Sequence, residues 1–333
     1  MTTSDTFVDL AAERVGGIAM AASDEFFAPK ENLLKAERGI FVEDEYTERG
    51  KWMDGWETRR RREPGHDWCL IKLGIPGVIR AVTVDTNHFR GNHPEACSLD
   101  ACHASADADA AALDALQSWS EVLSLSPLEG HAENRFGVIS TQRATHVRLH
   151  IYPDGGVARL RVWGDARPDW NALMASGEAV DLLAVGHGGR PVACSDRFFG
   201  EPSNLILPGR SGSMKEGWET RRRRGPGHDW VMLALGRRGI VDRLVVDTGQ
   251  FKGNYPESCS VEGCDLPGAT DEEVATLGNW FEVVPSTPLS ADREHTFAEP
   301  GVASPLTHVR LNIFPDGGVS RFRVYGRPAG EGQ

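Results

Sequence analysis

WETRRRREPGHDW, at residues 56–68, returns as WETRRRRGPGHDW at residues 218–230. Twelve of the thirteen positions are identical, and the offset between the copies is 218 − 56 = 162 residues. A glutamate, four consecutive arginines and a His-Asp pair are costly polar groups for a purely structural strand to carry twice. We therefore interpret the two copies as the centre of a functional site, and the rest of the chain as the scaffold that holds them.

The repetition extends along the whole chain. Three further pairs of segments match: residues 22–34 with 194–206, 84–102 with 246–264, and 145–164 with 307–326. The last pair is identical at fifteen of twenty positions. The offset falls from 194 − 22 = 172 to 162 residues by the Trp-Glu-Thr stretch, so the first copy carries about ten extra residues near 37–51. The chain is a tandem duplication, and an internal repeat of this kind determines the fold.

The limits of the repeats divide the chain into five parts. We predict an N-terminal tail at 1–8, a first repeat at 9–164, a linker at 165–180, a second repeat at 181–326 and a C-terminal tail at 327–333. The linker contains Asp-Trp-Asn-Ala-Leu-Met-Ala, which predicts one or two helical turns. With 333 residues the chain accommodates two domains of ordinary size, each able to bury its own core.

Strand patterns dominate each repeat. Polar and apolar residues alternate through His146–Ile151 and Arg159–Val162, and Pro-Asp-Gly-Gly between them is typical of a tight turn. Apolar or β-branched runs predict further strands at Trp68–Leu73, Val78–Val84, Trp230–Leu235 and Ile240–Val246. Helical pattern is scarce, and its best candidates are Ala108–Leu116 and Asp271–Leu277. The sequence predicts an all-β protein with an antiparallel sandwich in each half, because an α/β domain needs long amphipathic helices.

Composition and charge bound the function. Hydrophobic residues make up 40% of the chain and charged residues 25%, which is typical of a globular protein. The net charge of −12 opposes binding to nucleic acid or to an anionic membrane, so we expect neither partner. No secretory signal or membrane-spanning run is evident, and the six cysteines form no dense framework, so we expect free thiols and a cytoplasmic location.

The arginine run admits two interpretations. In an extended strand, Glu57, Arg59 and Arg61 share one face, and Arg60 lies on the other. The run is either an ion-pair network, neutralised by nearby acids, or a grip in which one or two arginines hold a substrate carboxylate in a bidentate manner. The candidate substrate-binding residues of the run are Glu57, Arg59, Arg60 and Arg61, with Glu219, Arg221, Arg222 and Arg223 in the second copy.

The His-Asp pair follows Pro-Gly and therefore lies in a loop just before a strand. A loop histidine exchanges a proton near neutral pH, and an adjacent carboxylate raises its pKa. A single pair of this kind is usually structural, but its repetition beside the arginine run favours a catalytic role. The candidates are His66 and Asp67, with His228 and Asp229 in the second copy.

A second frame, F-R/K-G-N-x-P-E, starts at Phe89 and again at Phe251. Asparagine offers an amide to a urea-like group, and glutamate supplies a base or an orienting carboxylate. The alternative is a turn in which asparagine bonds its own backbone. We predict Asn92 and Asn254 as substrate-binding residues and Glu95 and Glu257 as catalytic residues.

Two other repeated features have structural explanations. Cys97 and Cys102 recur as Cys259 and Cys264, but C-x4-C is not a common zinc spacing, so we predict buried thiols and no metal ligands. Asp-Gly-Gly is read as a turn whose aspartate can add a carboxylate to a nearby site. No G-x-S-x-G, P-loop or dinucleotide fingerprint is present in the sequence.

Three long motifs occur in both copies: W-E-T-R-R-R-R-x-P-G-H-D-W, V-D-T-x-x-F-R/K-G-N-x-P-E and T-H-V-R-L-x-I-Y/F-P-D-G-G. On these motifs the chain resembles the allantoicase family, the allantoate amidinohydrolases of purine catabolism, over nearly its whole length. The resemblance implies two galactose-binding-like jelly-roll domains related by pseudo-twofold symmetry, and hydrolysis of allantoate to ureidoglycolate and urea. It also implies a homo-oligomer. Differences between the copies, such as His93 against Tyr255, leave open whether both are active.

The candidate residues suit that reaction. Allantoate carries a carboxylate on a carbon that bears two ureido groups, so arginine can fix the carboxylate while asparagine or glutamate bonds a ureido group. One motif histidine is expected to protonate the leaving nitrogen, and one motif carboxylate to orient it or activate water. These residues are His66 and His228, and Asp67, Glu95, Asp229 and Glu257.

We expect no cofactor, while a metal-assisted version stays open in which histidine and carboxylates hold a divalent ion such as manganese. Two other function classes compete: a non-catalytic jelly-roll module that binds carbohydrate or another ligand, and an interaction scaffold held by the arginine network. A sugar-binding module would more often be secreted and lined by exposed aromatic residues. Because the repeated residues are charged and no signal is evident, the sequence favours the enzyme.

Overall fold

The computed structural model describes residues 7–175, 177–298, 300–301 and 303–329. Parts of the two predicted tails, 1–6 and 330–333, lie outside the described residues. The chain divides into two compact units, the first ending at Arg167 and the second beginning at Pro168. Each unit contains one of the two sequence repeats.

The first unit consists of twelve strands and one short helix in the described residues. They are β1 Val8–Asp9, β2 Ile18–Ala22, β3 Tyr46–Thr47, β4 Gly50–Lys51, β5 Trp56–Glu57, β6 Asp67–Asp85, β7 Ala96–Cys102, α1 Ala110–Asp114, β8 Ser120–Pro127, β9 Glu133–Gly137, β10 Arg143–Tyr152, β11 Gly156–Val157 and β12 Arg159–Ala166. Short 3-10 helices lie at Glu13–Val15 and Lys30–Leu34.

The second unit repeats this order without the counterpart of β3 and β4. Its elements are α2 Trp170–Met174, β13 Val180–Asp181, β14 Arg190–Cys194, β15 Trp218–Glu219, β16 Asp229–Asp247, β17 Ser258–Cys264, α3 Asp271–Ala275, β18 Phe281–Pro288, β19 Glu294–Ala298, β20 Leu306–Phe314, β21 Gly318–Val319 and β22 Arg321–Pro328. Three 3-10 helices lie at Val185–His187, Pro202–Ile206 and Met214–Glu216 among its described residues.

One long antiparallel strand links the sheet layers in each unit. In the first unit the strand order is β1-β12-β6-β10-β7-β8, and β2 and β9 pair with β6 in addition. The beginning of β6 pairs with β10 and β2, and its end pairs with β12 and β9. The second unit has the equivalent order β13-β22-β16-β20-β17-β18. This arrangement confirms the predicted all-β fold with a sandwich in each half.

The predicted strands at Trp68–Leu73 and Val78–Val84 are one continuous strand, β6, of nineteen residues. Gly74–Gly77 between them reads as a turn in the sequence, but the strand continues while its neighbours change, because the register of β10 shifts at this point. The predicted helices are confirmed near their expected positions as α1 and α3, which span five residues each. The linker pattern forms α2, also of five residues.

The cores consist of the apolar side chains of the long strands. Leu149 and Ile151 in β10, and Leu311 and Ile313 in β20, are fully buried. All six cysteines are free, and Cys97, Cys102, Cys259 and Cys264 are buried, which confirms the structural interpretation of the C-x4-C pairs. No helix in the described part of the chain has the length and apolar character needed to cross a membrane.

Candidate active site

A cavity occurs at the same position in both repeats. Its volume is about 710 Å³ in the first repeat and about 740 Å³ in the second. Three segments meet there: the Trp-Glu-Thr stretch, the F-R/K-G-N-x-P-E loop and the Pro-Asp-Gly-Gly turn. Eleven equivalent pairs line both cavities: Phe27/Phe199, Glu57/Glu219, Thr58/Thr220, Arg60/Arg222, Gly91/Gly253, Asn92/Asn254, His93/Tyr255, Glu95/Glu257, Pro153/Pro315, Asp154/Asp316 and Gly155/Gly317.

Strand β5 fixes the Trp-Glu-Thr stretch. Trp56 is fully buried, and its indole nitrogen donates a hydrogen bond of 2.8 Å to the carbonyl oxygen of Asp24. β5 pairs with β11 only at Trp56 and Glu57, so the chain leaves the strand before the first arginine. The arginines therefore do not form the extended strand that the sequence suggests, because the strand ends at Glu57.

The Pro-Asp-Gly-Gly turn packs tightly against the asparagine loop. The predicted turn is confirmed, and Gly155 adopts a φ of +137°, which favours glycine. A Cβ atom on Gly155 would lie 2.7 Å from the backbone oxygen of Asn92. Thr58 holds the other side of the turn, since its hydroxyl accepts a hydrogen bond of 3.1 Å from the Gly155 amide. The equivalent Gly317 has the same φ and the same close approach to Asn254.

A glutamate and an asparagine form a hydrogen-bonded pair in each cavity. Nδ2 of Asn92 donates to Oε1 of Glu57 at 2.7 Å, and Asn254 donates to Glu219 at 2.6 Å. Burial raises the pKa of Glu57, and the hydrogen bond from Asn92 opposes that rise. The structure thus joins two residues that the sequence predicts as separate substrate contacts.

Arg59 and Arg221 are committed to ion pairs. Arg59 bonds Asp24 through its backbone amide at 2.8 Å and its Nε at 3.2 Å. Arg221 bonds Asp196 in the same way, through its amide at 2.7 Å and its guanidinium at 2.8 Å. The ion-pair interpretation of the run therefore describes these two arginines, although Arg59 also lines the first cavity.

Arg61 and Arg223 are also paired. The guanidinium of Arg61 contacts Asp67 at 2.9 Å, and its backbone amide donates to Asp154 at 2.9 Å. Arg223 makes the equivalent pair with Asp229, which is 2% exposed. Asp67 is 1% exposed, so both predicted catalytic aspartates are buried partners of arginine.

Arg60 and Arg222 differ from their neighbours. Arg60 lines the first cavity and Arg222 the second, and no other equivalent pair of arginines in the described chain does so. Both side chains are exposed. Neither side chain has a hydrogen bond or ion pair to any described residue. A guanidinium without a protein partner beside a cavity is available to a bound carboxylate.

Glu95 and Glu257, which the sequence predicts as catalytic residues, line the cavities. Their side chains are exposed, and their backbone amides donate to Tyr152 and Phe314 at 2.8 and 2.9 Å. These bonds tie the end of the asparagine loop to the strand that leads into the Pro-Asp-Gly-Gly turn. The second carboxylate of each cavity therefore has a fixed backbone position and a solvated side chain.

His66 and His228 do not line these cavities. Nε2 of His66 lies 2.9 Å from Nδ1 of His150, and Nε2 of His150 lies 3.0 Å from Asp100. Burial lowers the pKa of His150. In the second repeat His228 faces the amide oxygen of Asn312 at 3.3 Å. The structure thus separates the motif histidines from the residues that it brings together around Glu57.

Metal binding has no evident ligand set. Among the described residues, no group of three or more His, Cys, Asp or Glu side chains is arranged to hold a metal ion. Asp67 and Asp229 pair with arginines, Glu57 and Glu219 bond asparagines, and the side chains of Glu95 and Glu257 are exposed.

Comparison with known proteins identifies the family. A family model described as the allantoicase repeat matches residues 8–167 and again residues 180–329. The chain belongs to the allantoicase family. A probable allantoicase from Pseudomonas aeruginosa is 48% identical over 324 residues, which cover 97% of this chain and 96% of that protein. A probable allantoicase from Photobacterium profundum is 47% identical, covering 97% of each chain.

A solved structure agrees with this assignment. Allantoicase from Saccharomyces cerevisiae matches with a TM-score of 0.81 at 34% identity, covering 98% of this chain and 95% of that chain. The allantoicase family consists of hydrolases that cleave carbon–nitrogen bonds other than peptide bonds in linear amidines. This chain is therefore a hydrolase of that class, and the resemblance found in the sequence motifs is confirmed.

Sequence reasoning missed part of the cavity lining. Phe27 and Phe199 form an aromatic wall, and Thr58 and Thr220 hold the turn. The phenylalanines occur in the matched segments 22–34 and 194–206, so a comparison of the two copies could have indicated them as candidates. Nothing in the sequence indicates that these segments approach the asparagine loop.

Proposed function

We propose that the equivalent cavity of each repeat binds allantoate and hydrolyses it to ureidoglycolate and urea. The observation that carries this proposal is the recurrence of one polar set, an unpaired arginine, a Glu-Asn pair and a second glutamate, at the same place in both repeats. A cavity of this size with a few convergent polar groups is typical of a small-molecule site. Membership of the allantoicase family supplies the reaction.

Arg60 and Arg222 hold the substrate carboxylate in this proposal. Their guanidinium groups have no partner among the described residues. The adjacent arginines, Arg59 and Arg61 in the first repeat and Arg221 and Arg223 in the second, have acidic partners. Arg222 is the only arginine of the second run that lines the second cavity. A bidentate contact between guanidinium and carboxylate fixes both the position and the plane of the acid group. This contact would place the carbon that bears the two ureido groups over the Glu-Asn pair.

Glu57 and Glu219 act as the general acids. Burial raises the pKa of Glu57, which favours the protonated form that an acid requires at neutral pH. Asn92 uses its amide nitrogen to orient Glu57, and its amide oxygen is then directed to an N–H group of the ureido group. Protonation of the leaving nitrogen makes urea a neutral leaving group.

Glu95 and Glu257 act as bases toward water. The carbon–nitrogen bond breaks, its electron pair goes to the departing nitrogen, and that nitrogen takes the proton of Glu57. The nitrogen of the remaining ureido group assists by donating electrons toward a transient imine. Water then forms the new carbon–oxygen bond, and Glu95 takes the proton that water loses. Exchange of protons with solvent restores both carboxyl groups.

The test replaces the proposed acid in both repeats. Glu57→Gln with Glu219→Gln keeps the size of the side chain and the contact with asparagine, but it removes the acid. We expect kcat for urea release to fall by at least about a hundredfold, the usual contribution of acid–base catalysis. Each single variant should retain about half of the wild-type rate because one site still works.

A second pair of variants separates this proposal from the histidine assignment. His66→Ala with His228→Ala removes the two motif histidines, which lie outside the cavities. If this pair lost a hundredfold in kcat while the glutamine pair did not, the acid role would belong to the histidines. Circular dichroism and size-exclusion chromatography of each variant exclude a loss of folding.

Four further properties are proposals. We propose that turnover needs no cofactor, that the protein is a homo-oligomer in the cytoplasm, and that it binds no nucleic acid, which the net charge of −12 supports. Urea release that survives chelation would support the first, whereas activity lost and restored by a divalent ion would recast the histidines and acids as ligands. Light scattering gives the oligomer number.

A further inference from the structure

The first repeat has an additional cavity beside the one already described. Its volume is about 450 Å³. Phe27, Glu57, Gly91 and Asn92 line both cavities, so the Glu57–Asn92 pair lies at their common wall. We call the additional space the annex and define it by the residues that line it alone: Phe41, Lys51, Met53, His88 and Arg90.

The extra segment near 37–51 forms one wall of the annex, and buried contacts hold its two ends. Nε of Arg159 donates to the carbonyl oxygen of Glu37 at 2.7 Å, and its Nη2 contacts Asp54 at 2.8 Å. The side chain of Asn87 donates to the carbonyl oxygen of Gly39 at 2.8 Å. Arg159 is 2% exposed, so the segment is anchored by a guanidinium inside the protein. The two ends of the annex wall are therefore fixed by buried groups of the protein.

Two cations without acidic partners face the annex. Nζ of Lys51 lies 4.8 Å from the ring centroids of both Phe41 and Tyr46, and it makes no ion pair within the described residues. Arg90 is exposed and likewise has no ion pair or side-chain hydrogen bond to a described residue. The only acidic group in the lining of the annex is Glu57, which is bonded to Asn92.

Two aromatic rings of the annex face each other. The rings of Phe41 and His88 are stacked, with centroids 5.5 Å apart and an interplanar angle of 27°. Burial lowers the pKa of His88, which favours the neutral ring. A planar group such as a ureido group packs favourably against aromatic rings, while the two cations attract a carboxylate.

The second repeat lacks this arrangement. It has no counterpart of β3 and β4, and Sδ of Met214 lies 3.7 Å from Nδ2 of Asn254, beside its Glu-Asn pair. Lys252 is the counterpart of Arg90, but Phe41 and Lys51 belong to the extra segment that the second repeat lacks. The two repeats therefore share the main cavity beside the Glu-Asn pair but differ on the side of the pair where the annex lies.

We propose that the annex is a binding subsite, present in the first repeat only, for a small organic anion that carries a carboxylate and a planar ureido group. Lys51 and Arg90 hold the carboxylate, and the planar group packs against Phe41 and His88. The occupant is a second ureide, distinct from the substrate held by Arg60. The proposal rests on the proposed function only in treating the Arg60 cavity as the substrate position.

The test titrates N-carbamoylglycine, which has one carboxylate and one ureido group, into a protein whose main cavities are disabled by Arg60→Ala and Arg222→Ala. Calorimetry is expected to give one binding site per chain. Adding Lys51→Met and Arg90→Ala should weaken binding at least tenfold, and N-carbamoylglycinamide, which lacks the charge, should not bind. Lys51→Met removes the ammonium group beside Phe41 but keeps an unbranched side chain of similar length.

Lys252→Ala is the matched control, because it removes the counterpart of Arg90 where no annex exists. It should leave the titration unchanged. Absence of binding in the Arg60→Ala and Arg222→Ala protein would overturn the proposal, as would binding that Lys51→Met and Arg90→Ala do not weaken. Allantoate turnover of the Arg60→Ala and Arg222→Ala protein is measured separately. Full turnover would refute the proposed carboxylate site, whereas the annex would still be tested by the effect of Lys51→Met and Arg90→Ala on the titration.

Discussion

The amide nitrogen of Asn92 lies 2.7 Å from Oε1 of Glu57, and the two residues are thirty-five positions apart in the chain. Asn254 and Glu219 repeat this contact at 2.6 Å. The contact joins the Trp-Glu-Thr stretch to the loop that follows β6 and β16. It gives each cavity one carboxyl group whose orientation is fixed by an amide.

Asn92→Ala with Asn254→Ala removes that orienting bond. We expect kcat to fall about tenfold or more, because a misoriented general acid transfers its proton less well. The hydrogen bond from Asn92 lowers the pKa of Glu57, so its loss raises that pKa. A general acid must be protonated, and the fall of kcat at high pH should therefore move to higher pH. The pH–rate profile of urea release measures both effects.

A merely structural role for the asparagines would lower kcat without moving the alkaline side of the profile. Asn171→Ala provides the control, since Asn171 is exposed in α2 and outside both cavities. An alkaline limb that stays at the wild-type pH in the Asn92 and Asn254 variant would contradict the acid role of Glu57.

Arg60→Ala with Arg222→Ala tests the carboxylate site. A charge-assisted contact contributes about 1.5–3 kcal/mol, so kcat/KM should fall roughly tenfold to a hundredfold. Lysine at both positions should recover only part of the loss because it cannot form the bidentate contact. Steady-state kinetics with allantoate measure the change. Arg327→Ala, an exposed arginine outside both cavities, should match the wild type.

Much of the fold is readable from the sequence because the chain repeats itself. The period-two pattern, the Pro-Asp-Gly-Gly turns and the lack of helical pattern together predict the sandwich, and α1 and α3 occur where the best helical pattern lies. The fusion of two predicted strands into β6 was not readable. A Gly-Ile-Pro-Gly run resembles a turn locally, and only the exchange of neighbouring strands keeps it extended.

The composition of the candidate site is partly readable, but the selection among its arginines is not. Four consecutive arginines are locally equivalent, and their different environments come from Asp24, in an earlier segment of the chain, and from Asp67, at the far end of the same motif. Alternation would place Glu57 on the same face as Arg59. However, β5 ends at Glu57. It is Arg60 that lines the cavity of the first repeat, as its counterpart Arg222 lines that of the second. Such contacts depend on how loops approach each other, which periodicity does not encode.

Gly155→Ala tests the fit between the turn and the asparagine loop. The φ of +137° strains any residue with a Cβ, and that atom would lie 2.7 Å from the backbone oxygen of Asn92. We expect the free energy of unfolding to fall by more than about 2 kcal/mol. Gly137→Ala is the matched control, because a Cβ atom added at Gly137 would meet no atom within 4 Å. Chemical denaturation measures both variants, and equal stabilities would contradict the close fit.

One buried histidine in each repeat makes stability depend on pH. His146 is 0% exposed and His308 is 6% exposed, and Nδ1 of each lies within hydrogen-bond distance of the preceding threonine hydroxyl. Burial lowers the pKa of both histidines. The unfolded chain therefore binds protons below about pH 6.5 that the folded chain does not, which destabilises the fold as the pH falls.

The free energy of unfolding should be greatest above about pH 6.5 and decrease toward pH 5, by up to about 1.4 kcal/mol per pH unit for each histidine. His146→Leu with His308→Leu removes both groups, so the slope of unfolding free energy against pH should flatten whatever the variant's absolute stability. His93→Gln is the control, since the second repeat has Tyr255 at that position. Urea denaturation between pH 5 and 8 measures the slopes, and an unchanged slope in the leucine variant would exclude these histidines as its source.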